Sequence, residues 1–209
     1  MMITAIQVRY AKEAHKTSCL SCGGALGFAR VQKEEVLADL GSGRGRDVLM
    51  AAQQGKFAYG IDFTSEMTEA ATAKSLEQEI PNAKFLLGSI DNIPLDDNFI
   101  DVVISNCTIN HAPDKQGVFG EIYRILKPGG RFIVSDIIAE TEIPEEIAAN
   151  PEAIAQCYAG AIVKEKYFNA IKISGFDNAE ILEESLPYDK HGVMVKSITV
   201  RSYKKQEIK

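Results

Sequence analysis

Short apolar runs alternate with helix-like segments along most of the chain. Five runs bounded by turn residues predict buried strands: Val36–Leu40, Phe57–Ile61, Lys84–Gly88, Ile100–Ser105 and Arg131–Asp136. The segments between them predict helices at Asp47–Gln54, Ser65–Gln78 and Gln116–Leu126, and Lys127–Gly130 is expected to end the last of these. Strands that alternate with helices predict an α/β fold in which a doubly wound, mostly parallel sheet is covered on both faces.

The regular alternation of predicted strands and helices ends in the last third of the chain. Residues 142–170 have a helical composition that Pro144 and Pro151 interrupt. Ala179–Glu183 predicts a sixth strand, and the alternation along Val193–Tyr203 predicts a final strand that runs antiparallel. We expect residues 1–209 to form one domain, with an N-terminal cap at 1–30 and a helical substrate-side insertion at 140–172.

Composition narrows the class of protein. The chain has 209 residues and a net charge of −6 without a long basic run, so nucleic acid is not an expected partner. No apolar stretch approaches the roughly 20 residues that span a bilayer, and the first 16 residues lack a signal-peptide pattern. We therefore expect a cytoplasmic protein without membrane contact. The four cysteines, at positions 19, 22, 107 and 157, are expected to be thiols.

The segment that follows the first strand carries the strongest functional signal. Asp39 is followed by Gly41, Gly43 and Gly45, which alternate with Ser42 and Arg44. A dinucleotide site needs the spacing G-x-G-x-x-G, which is absent here. Glycines in this position allow a sharp turn and let a ligand approach the backbone closely.

The segment Asp39–Gly45 resembles the first motif of class I S-adenosylmethionine (SAM) methyltransferases, an acid followed by Gly-x-Gly-x-Gly. This resemblance implies a Rossmann-like sheet of seven strands in which the last strand lies antiparallel between the fifth and the sixth. It also implies SAM as the cofactor, which itself supplies the reactive methyl group.

The resemblance assigns the expected cofactor contacts. Asp62, after the second strand, would accept hydrogen bonds from ribose hydroxyls, as the corresponding acid does in dinucleotide folds. Met67 would pack on adenine, and Ser89 stands where the family usually has an acid. Cys107 is expected to be buried behind the cofactor. The complete predicted cofactor set is Asp39, Gly41, Ser42, Gly43, Asp62, Phe63, Met67, Ser89, Ile90 and Asn106.

Further motifs are similar to those of arsenite methyltransferases. They are Val103–Asn110, Pro113–Lys115, Glu121–Phe132 and Cys157–Ala161, together with Cys22-Gly23 ahead of the glycine turn. Trivalent arsenic favours soft thiolate ligands, by the logic that pairs them with soft metals. The resemblance thus implies Cys22, Cys157 and Cys19 as arsenic ligands, whereas no resident metal ion is expected. The further cysteine that this family typically carries after Cys157 is absent.

Two alternatives remain open. The acceptor could be a small organic molecule, with His111 after the fourth strand acting as a general base. The domain could also bind SAM or a metalloid without catalysis. The number of subunits is not predicted from these residues.

Overall fold

The computed structural model describes residues 2–14 and 23–206. In this part of the chain, one mixed sheet contains eight strands. The strands are β1 (Val36–Leu40), β2 (Phe57–Asp62), β3 (Ala83–Leu87), β4 (Ile100–Asn106), β5 (Leu126–Ala139), β6 (Glu180–Glu184), β7 (Tyr188–Lys190) and β8 (Val193–Tyr203). The helices are α1 (Met2–Glu13), α2 (Ala25–Ala29), α3 (Arg46–Ala52), α4 (Ser65–Glu77), α5 (Lys115–Ile125), α6 (Glu145–Ala148), α7 (Pro151–Ala155) and α8 (Lys164–Ile173), with a 3₁₀ turn at Ile109–His111.

The strand order confirms the predicted α/β class. It is β3-β2-β1-β4-β5-β8-β6, with β1 to β5 parallel to one another and β8 antiparallel to both β5 and β6. The last strand therefore lies between the fifth and the sixth, as expected. An additional strand that was not expected, β7, pairs with β8 and brings the strand number to eight instead of seven.

Successive side chains of a strand point to opposite faces of the sheet, and helices cover both faces. On one face, Leu40, Val103 and Phe132 pack with Phe119 of α5 and Tyr167 of α8. On the other face, Leu37, Val102, Ile104 and Ile133 pack with the side chains of α2 and α3. This double covering explains why the central strands are continuous apolar runs rather than alternating ones.

The strand that follows α5 begins earlier than predicted. Helix α5 ends at Ile125, just before Lys127–Gly130, as expected, but β5 already begins at Leu126 instead of Arg131. There the Gly129 N–H donates to the Lys204 carbonyl and the Lys204 N–H donates to the Gly130 carbonyl. Residues 142–170 are divided into separate helical pieces, as expected: α6, α7 and the first part of α8.

The parallel strands bring their carboxyl ends to one edge of the sheet. Helix α1 packs mainly against α7, with further contacts to α4, and reaches the same edge. Among the described residues, no helix has both the length and the apolar character needed to cross a membrane.

Candidate active site

The turn between β1 and α3 is shaped by backbone that few residues other than glycine adopt. Gly41 has a φ of +73°, and an ideal Cβ at this position would collide with the Thr108 side chain. The N–H groups of Gly41 and Ser42 both donate to the Ile61 carbonyl, at 2.8 and 3.1 Å. These bonds hold the turn against the carboxyl end of β2 and leave its outer side open.

A cavity of about 1240 Å³ opens beside this turn. It extends from the Gly41–Gly43 backbone past the ends of β4 and β5 to α1 and the segment after α7. Polar side chains on its wall include Asp39, Asp62, Asn106, His111, Asp136 and Cys157. In an open α/β sheet, this edge is where ligands bind.

Three acidic side chains, Asp39, Asp47 and Asp62, lie on the turn side of the cavity. Burial is the main cause that raises the pKa of Asp39 well above its usual value, and the neighbouring Asp47 and Asp62 raise it further. Burial also raises the pKa of Asp47 and Asp62. The buried hydroxyl of Ser42 has no hydrogen-bond partner among the described residues. The wall therefore suits a ligand that brings positive charge and hydrogen-bond donors.

Asp62 is oriented by the backbone around it. One carboxylate oxygen accepts from the Gly43 N–H and the other from the Thr64 N–H, both at 2.9 Å. Each oxygen keeps lone-pair capacity for a further donor. Asp62 is thus fixed in the cavity wall with acceptors available, as ribose binding requires.

Asn106 links the end of β4 to two other elements. Its Oδ1 accepts from the Ala25 N–H at 3.1 Å, and its Nδ2 donates to Asp47 Oδ2 at 3.1 Å. Gly23 packs closely against Asn106 and Ser135, leaving no room for a Cβ. Asn106 therefore positions α2 and Asp47 beside the glycine turn.

Three predicted cofactor residues do not line the cavity. Met67 is completely buried and Ile90 packs against the main core, whereas Ser89 is exposed and hydrogen-bonded to Asp91. The other predicted positions, Asp39, Gly41, Ser42, Gly43, Asp62, Phe63 and Asn106, all line it. Contacts of Met67, Ser89 and Ile90 with adenine stay predictions.

Cys157 lies at the opposite part of the cavity wall. It follows α7 with a φ of +70°, and its Sγ is 3.0 Å from His111 Nε2 and 3.8 Å from the Tyr10 hydroxyl. Burial raises the pKa of the thiol to about 11. Burial also lowers the pKa of His111 to about 4, against the opposing effect of the Ile154 carbonyl. At neutral pH, Cys157 is a thiol and His111 is an uncharged imidazole.

The end of β5 adds a buried polar group. Asp136 Oδ1 accepts from Asn110 Nδ2 at 2.8 Å and from the Ile137 N–H at 2.9 Å. Burial raises the pKa of Asp136 to about 7, although Lys115 and these hydrogen bonds oppose the shift. Asp136 borders the same cavity and raises the pKa of Cys157 further.

Of the other three cysteines, only Cys107 lies within the described residues. Cys107, expected behind the cofactor, is only half-buried and lines the cavity at the end of β4. Cys19 and Cys22 lie outside the described residues, so their distance from Cys157 is a prediction only. Gly23, which follows Cys22 in the chain, does line the cavity.

Sequence comparison identifies the family. The model of a methyltransferase domain matches residues 32–185, which include the glycine turn, Asp62, Asn106 and Cys157. The chain belongs to the SAM-dependent methyltransferase family.

Several relatives of this methyltransferase are arsenite methyltransferases. The one from Halobacterium salinarum is 37% identical over 165 residues, which cover 78% of this chain and 42% of that protein. The one from Mus musculus is 37% identical over 138 residues, covering 60% of this chain and 37% of that protein. The chain therefore spans less than half the length of these relatives.

Solved structures agree with this family. An arsenic(III) S-adenosylmethionine methyltransferase from Chlamydomonas reinhardtii superposes with a TM-score of 0.74 at 26% identity, covering 96% of this chain and 74% of that one. The YcgJ protein of Bacillus subtilis superposes with a TM-score of 0.73 at 18% identity, covering 87% and 97%, which shows the shared fold.

SAM, the cofactor of the family, fits the residues present. The positively charged sulfonium and ammonium groups of SAM would favour the ionised forms of Asp39, Asp47 and Asp62, and its ribose hydroxyls can donate to Asp62. The unpartnered Ser42 hydroxyl can also be satisfied by a ligand. These residues would hold SAM at the turn, on the cavity wall that also leads to Cys157.

Four residues that shape this site, Tyr10, Asp47, Thr108 and Asp136, were not among the predicted site residues. Asp47 lies in the first turn of α3, Thr108 follows β4, and Asp136 lies near the carboxyl end of β5. Ligands in open α/β sheets bind at the carboxyl ends of the strands, so this placement is a signal that could have found these three residues. Tyr10 had no local signal, because its contacts with His111 and Cys157 span 101 and 147 positions.

Proposed function

We propose that this methyltransferase transfers a methyl group from SAM to trivalent arsenic bound by the thiol of Cys157, with Cys22 and Cys19 as further ligands. The observation that carries the proposal is that Cys157 lines the same cavity as the Gly41–Gly43 turn and Asp62. The arsenite methyltransferases among its relatives support the choice of acceptor.

The turn side of the cavity would hold the cofactor. Asp62 would accept from the ribose hydroxyls, and Asp39 would face the methionine ammonium group, directly or through water. Bound SAM supplies a methyl group activated by its sulfonium. The residues of the chain have the task of holding an acceptor in line with it.

The thiol side of the cavity would hold the acceptor. A buried thiol with a pKa of about 11 is protonated at neutral pH, and condensation with arsenous acid releases that proton as water. Arsenic bound by sulfur keeps a lone pair, so its methylation needs no general base. His111, whose Nε2 contacts Cys157, is therefore not required as a base in the methyl transfer itself.

Labelled methyl transfer tests the proposal. The full chain is incubated with methyl-labelled SAM, arsenite and a thiol reductant, and the arsenic products are separated and counted. We expect labelled methylarsenic from the wild type and background levels from Cys157→Ser, while SAM affinity by calorimetry stays unchanged. The control is Met194→Ser, which removes an exposed sulfur side chain from β8 and should keep full activity.

Two outcomes would contradict the proposal. Equal turnover of wild type and Cys157→Ser would show that the thiol does not bind the acceptor. SAM binding without methylarsenic would point instead to an organic acceptor or to a binding domain, and label recovered on an added organic acceptor would separate these two.

A further inference from the structure

Three polar side chains from distant parts of the chain meet at the thiol side of the cavity. Tyr10 comes from α1, His111 ends the 3₁₀ turn after β4, and Cys157 follows α7. His111 Nε2 lies 3.0 Å from Cys157 Sγ and 3.1 Å from the Tyr10 hydroxyl. All three side chains line the cavity, so the contact faces the space in which an acceptor would bind.

A neutral imidazole can make only one hydrogen bond as donor and one as acceptor, which limits the role of Nε2 in its contacts with Cys157 and Tyr10. One ring nitrogen carries a proton and the other offers a single lone pair. With the lone pair on Nε2, His111 accepts from the Cys157 thiol or from the Tyr10 hydroxyl. In this tautomer, Nε2 is an acceptor for the thiol proton at contact distance.

We propose that His111 carries the thiol proton of Cys157 when this sulfur bonds to trivalent arsenic, an inference that rests on the proposed function. The Sγ–As bond forms while an As–O bond of arsenous acid breaks, and the electrons of the As–O bond leave with the hydroxide. The thiol proton passes through Nε2 to this hydroxide and is released as water. Arsenic stays trivalent, and nothing is oxidised or reduced.

Tyr10 acts as a positioning residue in this step. Its ring packs edge-on against the imidazole, with 5.7 Å between ring centroids and an angle of 85°. Its hydroxyl, in contact with both Nε2 and Sγ, orients the two atoms between which the proton moves. Through Tyr10, helix α1 contributes a side chain to the site at which arsenic would bind.

Rates and affinity together distinguish proton transfer from a structural role. A group that only carries a proton accelerates formation and hydrolysis of the S–As bond equally and leaves their ratio, the Kd, unchanged. In His111→Gln, we expect the association and dissociation rates of arsenite to fall by at least about tenfold, since general acid–base groups contribute about 10²–10⁴. The Kd should stay the same as in the wild type.

Stopped-flow absorbance of arsenic–sulfur bonds in the full chain measures both rates. The kinetic phase that is present in the wild type and absent in Cys157→Ser is assigned to the bond between arsenic and Cys157. The matched control is His191→Asn, because His191 is exposed, stacks on Tyr158 and has a positive φ that asparagine tolerates. This control should react at wild-type rates.

A second readout does not depend on arsenic. Alkylation of Cys157 by iodoacetamide, followed by mass spectrometry of its peptide, should slow in His111→Gln, while alkylation of Cys107 in the same sample should not. Absence of arsenite binding by the wild type would overturn the proposed function, and slow Cys157 alkylation in the variant would still support proton transfer by His111. Unchanged rates in both assays, or a weaker Kd at an unchanged association rate, would overturn the inference.

Discussion

The Thr108 side chain occupies the space into which a side chain on Gly41 would have to extend. Thr108 follows β4 and Gly41 follows β1, so the contact packs the ends of two adjacent strands against each other. The Thr108 hydroxyl also donates to the Asn106 carbonyl at 3.0 Å. The shape of the glycine turn therefore depends on the neighbouring strand end as well as on its own residues.

Replacing Gly41 tests whether this turn holds the cofactor. Gly41→Ala combines a φ of +73° with the collision against Thr108, and a strained backbone alone costs about 1–3 kcal/mol. We expect a lower free energy of unfolding in urea and loss of SAM binding by calorimetry. Gly192→Ala is the control, because its φ is +86° but its Cβ would meet nothing within 4 Å. It should lose stability and keep SAM affinity; wild-type SAM affinity in Gly41→Ala would refute the role of the turn.

The charge of Asp62 should contribute strongly to SAM affinity. In Asp62→Asn, one of the two backbone N–H donors, from Gly43 or Thr64, would face an amide NH₂. Hydrogen bonds to a charged group contribute about 1.5–3 kcal/mol, so we expect SAM affinity to fall roughly ten- to hundredfold. Calorimetry should show no change for Asp96→Asn, an exposed carboxylate outside the cavity. Equal SAM affinity of Asp62→Asn and wild type would exclude ribose binding by this carboxylate.

The buried Asp136 should make stability depend on pH. Its pKa is about 7 in the folded chain and near 3.8 when exposed, so the folded state retains a proton that the unfolded state releases between these values. Its contribution to stability is fully present below pH 3.8 and is lost as the pH rises through about 7. At 1.36 kcal/mol per unit of pKa, the loss is on the order of 4 kcal/mol.

Asp136→Asn isolates this effect, because asparagine keeps an acceptor for Asn110 and Ile137 and does not ionise. Urea unfolding at pH 5 and pH 8 should show that the wild type loses more stability than the variant over this interval. A parallel loss in both proteins would mean that Asp136 is ionised throughout.

Much of the fold was predictable because the signals are local. The central strands are short apolar runs, since parallel strands covered on both faces bury every side chain. The resemblance to class I methyltransferases supplied the antiparallel position of β8, which periodicity alone does not encode. Tyr188–Lys190 was missed because all three residues of β7 are at least partly exposed and form no apolar run.

The clearest local signals for the site lie on the turn side of the cavity. The glycine turn and Asp62 are close in the chain and follow a recognisable motif. His111 was considered as a base toward an organic acceptor, whereas the structure places its Nε2 against Cys157, 46 positions away. Contacts of this kind depend on how α1 and α7 pack at the sheet edge, which no local pattern specifies.

X-ray absorption at the arsenic edge tests the central claim most directly. Arsenite-loaded full chain in the presence of SAM is compared with the Cys157→Ser variant, and the sulfur neighbours of arsenic are counted. The account predicts sulfur coordination in the wild type and one sulfur neighbour fewer in the variant. Coordination by oxygen alone in the wild type, or the same sulfur number in both proteins, would contradict it.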